Sequence, residues 1–225
     1  MRALLLAAGL GSRLGHVTRH TPKCLVRIKG VPLLDIWVTR LAAAGFTEVL
    51  VNTHHLASTV EDHIRASRYE IAVHTHFEPE LLGTAGTIAF HSKWLGTSDA
   101  LVGHADNYSL FHIGDFLSAH RRRPIGVHLT MLAFRTDTPW SCGVLQVDDA
   151  GILQNMWEKS LDDHGNLANA AVYVVTSEVI ALTRGLSDFS TEVIPQLFGR
   201  TQVVETHETH IDIGTPKSLE RAQNS

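Results

Sequence analysis

Two rhythms of apolar residues run along this chain. Residues 2–8, 48–52, 71–75 and 100–103, each built around a short apolar run, have the length and branched content of strands. Between them, residues 33–44, 57–66 and 84–94 place apolar side chains every three to four positions, and Gly45 closes the first of these stretches. Strand and helix patterns in alternation predict a largely parallel sheet with helices on both faces.

The pattern changes after Pro124. Residues 126–134, 143–147 and 153–157 read as strands joined by short turns, one of them Asp148-Asp149-Ala150-Gly151, and are best taken as antiparallel additions to the sheet. Residues 171–175 form a further buried strand, with helices expected from about Ser177 and Thr191. Thr215 is placed to cap a last helix that has Pro216 at its first position. No repeat, low-complexity run or linker interrupts residues 1–225, and one α/β domain is expected over them.

The first strand breaks into Gly9-Leu10-Gly11-Ser12-Arg13-Leu14, and Thr21-Pro22-Lys23 follows. A buried strand that ends in Gly-x-Gly offers backbone N–H groups to an approaching anion. Arg13 and Lys23 add two positive charges beside them, a combination suited to a polyphosphate. The dinucleotide-binding fingerprint needs its third glycine one position before Gly15, and the phosphate loop of the G-x-x-x-x-G-K-[ST] type is absent.

These residues resemble the signature of the sugar-1-phosphate nucleotidylyltransferases. The likeness continues in order through Leu82-Gly83-Thr84-Ala85-Gly86, Asp106, Glu158-Lys159, Asn169-Ala170-Ala171-Val172-Tyr173 and Asp212-Ile213-Gly214-Thr215-Pro216. It implies a Rossmann-like three-layer αβα sandwich with a mixed, mostly parallel central sheet, the nucleotide-diphospho-sugar transferase fold. The implied reaction joins a nucleoside triphosphate to a sugar 1-phosphate and releases pyrophosphate. Arg13, Lys23, Asp106 and Asp212 would be its catalytic residues, with Asp106 and Asp212 holding Mg²⁺, a cation that prefers oxygen ligands. Leu6, Ala7, Ala8, Gly9, Gly11 and Ser12 would line the nucleotide beside Arg13 and Lys23, while Glu78, Glu80, Gly83, Thr84 and Ala85 would read its base. His104, Gly143, Glu158, Lys159, Asn169 and Ala171 would meet the sugar phosphate.

Departures from the family pattern bear on the sugar. His104-Ala105 precedes Asp106 where Asn-Gly is common, and Ala171 stands where a glycine is usual. Glu78 and Glu80 accept hydrogen bonds when ionised, which suits the N1–H and N2–H donors of guanine. GTP and a mannose- or heptose-type 1-phosphate are therefore the expected substrates. A uridylyltransferase for an amino-sugar 1-phosphate is one alternative. A cytidylyltransferase for phosphocholine is another, with Trp140, Trp157 and Tyr173 as an aromatic cage. A nucleotide-sugar sensor without catalysis would be expected to lose one of the four charged residues.

Charge and composition narrow the remaining choices. A net charge of −4 argues against general nucleic-acid binding, and the run Arg121-Arg122-Arg123 is expected to end a helix, where cations suit its dipole. Cys24 and Cys142 are too few for a disulfide framework. With no leader pattern and no apolar run near ~20 residues, the expectation is a cytoplasmic protein. His74 and His76 share one face of a strand, and they are read as edge-strand residues rather than zinc ligands. Whether the chain is a monomer or a homo-oligomer is left undecided by these residues.

Overall fold

The computed structural model describes residues 1–225. Its strands in the first half are β1 (Arg2–Leu6), β2 (Arg27–Ile28), β3 (Val31–Pro32), β4 (Glu48–Thr53), β5 (Ala72–Phe77), β6 (Ala100–His104) and β7 (Asn107–Ser109). The helices among them are α1 (Leu33–Ala43), α2 (Ala57–Ala66), α3 (Gly83–Phe90), α4 (Ser92–Leu95) and α5 (Ile113–Arg121). The second half adds β8 (Leu129–Arg135), β9 (Gly143–Val147), β10 (Leu153–Glu158), β11 (Leu167–Val175), α6 (Ser177–Leu182), β12 (Thr201–Glu205), β13 (His210–Asp212) and α7 (Pro216–Asn224). No helix is long and apolar enough to cross a membrane.

Two compact units divide the chain. The first gathers Met1–Leu81, Val102–Ile113 and Glu208–Ser225. Within it β6, β1, β4 and β5 lie in that order, and β4 pairs in parallel with both β1 and β5. The apolar runs of β1 and β4 are almost wholly buried, which is why those segments read as continuous hydrophobic strands. A separate cluster forms from Leu14, Val26, Ile28, Leu33, Tyr108, Ile211, Ile213 and Ala222. That cluster fixes the glycine loop, the β7–β13 ribbon and α7 against one another. At the N-terminus of α7 the Thr215 hydroxyl accepts from Ser218 N–H and the Ser218 hydroxyl from Thr215 N–H, a capping box.

The second unit comprises Leu82–Leu101 and Gly114–His207. Here β11 pairs antiparallel with β8 and β9, β10 lies antiparallel to β9, and β12 runs parallel to β8. The antiparallel character expected after Pro124 is present. At the end of α5 Arg123 donates to the carbonyls of His120 and Val127, so the basic run does meet a helix C-terminus.

Several elements differ from their sequence reading. The strand expected from residue 126 starts at Leu129, because Gly126 has φ +86° and is turned out of the extended region. The helix expected over 84–94 halts at His91 and restarts as α4. In place of an α-helix from Thr191, a π-helical turn covers Phe189–Val193 and a 3₁₀ turn covers Ile194–Leu197. Pro195 has no N–H to continue a ladder there. β7, β12 and β13 escaped the sequence reading, two of them being three residues long.

Candidate active site

The glycine turn after β1 is built around Gly11, whose φ of +62° places it in the left-handed region. A Cβ there would lie 2.9 Å from Thr18 Cγ2. Buried Thr18 closes the turn by donating its hydroxyl to Gly11 O at 2.9 Å. A 3₁₀ turn over Ser12–Leu14 then buries Leu14 and leaves Arg13 exposed. Hydrophobic anchoring of Leu14 thus directs the guanidinium outward.

Four charged side chains from across the first unit converge. Lys23 Nζ donates to Asp106 Oδ2 and to Asp212 Oδ1, both at 2.7 Å, and its side chain is only 8% exposed. Arg13 Nη2 makes a longer contact of 3.5 Å with Asp212 Oδ2. The pairing of β13 with β7 sets Asp212 opposite Asn107, which brings it beside Asp106 although the two are 106 positions apart in the chain. Burial opposes the charge on Lys23, but Asp106 and Asp212 outweigh it and hold its pKa above the ordinary lysine value. Partial burial likewise opposes ionisation of Asp212, and Lys23 with Arg13 outweighs it, so that carboxyl lies below its usual range.

Gly214 makes room for this group. A Cβ there would lie 2.8 Å from Arg13 Nη2 and 3.1 Å from either Asp212 oxygen. His104 Nδ1 stands 4.0 Å from Asp106 Oδ1. His210 is buried, its Nδ1 2.9 Å from Ser109 Oγ, and burial pushes its pKa down to about 4. The two carboxylate oxygens that share one ammonium supply the hard oxygen donors a Mg²⁺ ion takes, and Mg²⁺ commonly needs only one or two carboxylates beside substrate phosphates. Asp106 and Asp212 therefore fit that ion.

The end of β1 and the loop after β5, expected from sequence to meet the base, belong to the same unit. Ala7 N–H donates to Asn52 Oδ1 at 2.7 Å, and Asn52 Nδ2 donates to Glu78 Oε1 at 2.9 Å. Glu78 is 1% exposed, whereas Glu80 is open to solvent. The two acidic residues named together from sequence are thus not equivalent: Glu78 is engaged inside the fold and Glu80 is not. Leu6 and Ala8 are buried, Gly9 is exposed with open space where a Cβ would lie, and Ser12 is exposed. Sequence reasoning missed Thr18 and Asn52; the only hint of Asn52 was a polar residue ending an apolar strand.

The remaining candidates belong to the second unit. Gly83 has φ +76°, and a Cβ there would fall 2.3 Å from Ser187 O. Ala85 N–H donates to that same carbonyl at 2.9 Å, and Thr84 Oγ1 accepts from Phe189 N–H at 2.7 Å. These three residues, read from sequence as base contacts, anchor the start of α3 to the 187–189 segment. Ala85 is fully buried, and its N–H is directed to Ser187 O.

Around the β9–β10–β11 strands, Asn169 braces a bulge in β11. Its Oδ1 accepts from Ala171 N–H at 2.9 Å and its Nδ2 donates to Tyr173 Oη at 2.7 Å. The β8–β11 register shifts between Asn169 and Tyr173, and Ala171 sits there at φ +52°. Lys159, also left-handed at φ +51°, is exposed with its Nζ 3.7 Å from Glu158 Oε1. Partial burial pushes the Glu158 carboxyl up. A Cβ on Gly143 would lie 2.7 Å from Glu158 Oε2, so the glycine admits that carboxylate. Gly143, Glu158, Lys159, Asn169 and Ala171 therefore share one region of this unit, while His104 belongs to the first. Of the rings considered as a cage, Trp157 stacks on His164 at 4.0 Å and buried Tyr173 packs on Phe189 at 4.8 Å.

Residues 2–225 match the family model described as nucleotidyl transferase. The chain belongs to that family. It is 28% identical over 223 residues to a putative mannose-1-phosphate guanyltransferase of Sulfolobus acidocaldarius, covering 97% of this chain and 61% of that protein. To the mannose-1-phosphate guanylyltransferase catalytic subunit beta of Drosophila melanogaster it is 28% identical over 225 residues, 97% of this chain and 60% of that one. The chain thus spans about three-fifths of the length of these curated relatives. Among solved structures, HddC from Yersinia pseudotuberculosis superposes with a TM-score of 0.84 at 24% identity, over 99% of this chain and 98% of that one. A putative glucose-1-phosphate thymidylyltransferase from Bacillus anthracis gives 0.86 at 20% identity, over 100% and 94%. The chain has the expected fold, the Rossmann-like nucleotide-diphospho-sugar transferase architecture with a mixed sheet.

Proposed function

We propose that this nucleotidyltransferase joins GTP to a mannose- or heptose-type sugar 1-phosphate, giving a nucleoside-diphosphate sugar and pyrophosphate. The observation that carries this reading is the placement of Lys23 between Asp106 and Asp212, with Arg13 beside them. A phosphate monoester is already anionic near neutral pH, so the attacking oxygen needs no general base. That oxygen bonds to the α-phosphorus, the bond to the β-phosphate breaks, and pyrophosphate leaves with the electron pair. Positioning and charge neutralisation supply the rate.

Arg13 grips the β- and γ-phosphates with its planar fork of donors, and Lys23 serves the α-phosphate. Asp106 and Asp212 would hold Mg²⁺, which would supply positive charge to offset that on the leaving pyrophosphate. Lys159 holds the sugar phosphate, and Glu158 and Asn169 receive sugar hydroxyls. Relatives named as mannose-1-phosphate guanyltransferases support both the nucleotide and the sugar. The coverage of Trp157 and Tyr173 by neighbouring rings weighs against a cage for phosphocholine.

The test is pyrophosphate release with Mg²⁺ across the four common nucleoside triphosphates, each against a panel of sugar 1-phosphates and phosphocholine. A signal with GTP and a mannose- or heptose-type phosphate is the expected result. Turnover with UTP or CTP alone would overturn the base reading and keep the reaction. Silence with all of them, while nucleotide still binds, would make the chain a sensor.

A further inference from the structure

Four consecutive residues where β4 ends tie together the two loops assigned to the nucleotide. Asn52 accepts from Ala7 N–H through Oδ1 and donates to the Glu78 carboxylate through Nδ2. Thr53 O accepts from Glu78 N–H at 2.8 Å, and His54 Nδ1 donates to Glu78 O at 2.7 Å. His55 Nε2 donates to Thr18 O at 3.2 Å, and Thr18 in turn holds Gly11. Every role here is fixed by its partner: a carbonyl or carboxylate oxygen only accepts, and a backbone N–H only donates. The Asn52 amide therefore has one orientation and contacts both loops at once. Asn52 is itself 3% exposed and lies beneath them.

We propose that Asn52 is the positioning residue that sets nucleotide selectivity, by fixing the Ala7 amide and the Glu78 carboxylate relative to each other. This rests on the reading of the site as a GTP site. Glu78 is the acceptor suited to a guanine edge, and a buried carboxylate stays where its hydrogen-bond donors hold it. Asn52 contacts no phosphate in this scheme; it acts through the two groups it braces.

The substitution Asn52→Asp separates the two contacts. It keeps an acceptor for Ala7 N–H but sets two carboxylates against each other, so one must move or take up a proton. The expected result is a KM for GTP raised about tenfold, the effect of losing one hydrogen bond to a charged group, with a reduced preference for GTP over UTP. The KM for the sugar phosphate should stay within about twofold, because a purely structural defect would spread over both substrates. In the double variant Asn52→Asp/Glu78→Gln the donor and acceptor change sides, and the affinity for GTP should recover relative to Asn52→Asp.

An unchanged GTP-to-UTP ratio in Asn52→Asp, or a double variant no better than the single one, would overturn the proposal. If Asn52→Asp fails to fold, Asn52→Ser, which removes the donor to Glu78 without adding a second carboxylate, reports on the same ratio. A shift supports the proposal, and no shift overturns it. A parent protein that neither binds GTP nor releases pyrophosphate would instead overturn the function proposed above, before any variant is made.

Discussion

Lys23 is the residue on which the candidate site turns. Its ammonium is nearly buried and shared by two carboxylates, so removing either acid changes the charge balance at the point where phosphates are expected. Asp106→Asn should leave the thermal midpoint nearly unchanged, since Asp212 still pairs Lys23, while pyrophosphate release falls below detection at ordinary Mg²⁺. Near-normal turnover would sink the assignment of Asp106. Arg13 is exposed and makes only one long contact, so Arg13→Ala should not disturb the fold. It should cost on the order of 10²–10³ in kcat, the scale for removal of one preorganised electrostatic group. If steady-state kinetics place the whole loss in KM, Arg13 serves ground-state binding alone. Arg13 and Lys23 were legible in the sequence because their chemistry is written in a short local motif.

Among the elements, left-handed backbone marks the bulge of β11 and the entry to α3. Ala171 occupies a left-handed backbone position that suits glycine, the residue the family pattern favours there. Ala171→Gly should raise stability by about 1 kcal/mol in urea unfolding, because relief of the left-handed Cβ outweighs the added chain entropy. A drop in the urea midpoint would show that the Ala171 methyl packs usefully. Gly83 is the opposite case. Its added Cβ would meet the backbone carbonyl of Ser187, which cannot rotate away as a side chain does. Gly83→Ala should destabilise by about 3 kcal/mol or more, visible as a markedly lower melting temperature. Apolar periodicity located α1, α2 and β9 closely: α1 and β9 each bury a stripe or run, and α2 turns Val60 into the fold. It could not find the bulge, because register along β11 depends on which strand lies beside it.

Across the molecule, buried histidines should dominate the acid limb of stability. His210 has a pKa of about 4 in the fold against 6.5 when exposed, and burial pushes His120 down as well. Between those values the unfolded chain binds the extra proton, so stability rises with pH through that window and falls as pH drops towards 4. For His210 the contribution reaches about 3 kcal/mol, fully present above the unfolded value. Unfolding free energies measured at pH 7 and pH 5 should show this loss, and His210→Asn should flatten the difference. Equal slopes in the two proteins would mean that His210 takes up no proton on unfolding.

The sequence by itself determined the alternation of strands and helices, the glycine turn with its two cations, and the order of acidic motifs that match a nucleotidyltransferase. These depend on local periodicity and short spacing, which neighbours in the chain settle. Only the tertiary structure decided that residues 13, 23, 106 and 212 meet, because that requires β13 to pair with β7 and three separate chain segments to pack as one unit. It also decided that Glu78 is buried against Asn52 while Glu80 faces water, and that Thr84 and Ala85 are held by residues 187–189. A side chain's type is a local property. Whether its hydrogen-bonding capacity is already taken depends on partners as far as 199 positions away, and only folding brings those together.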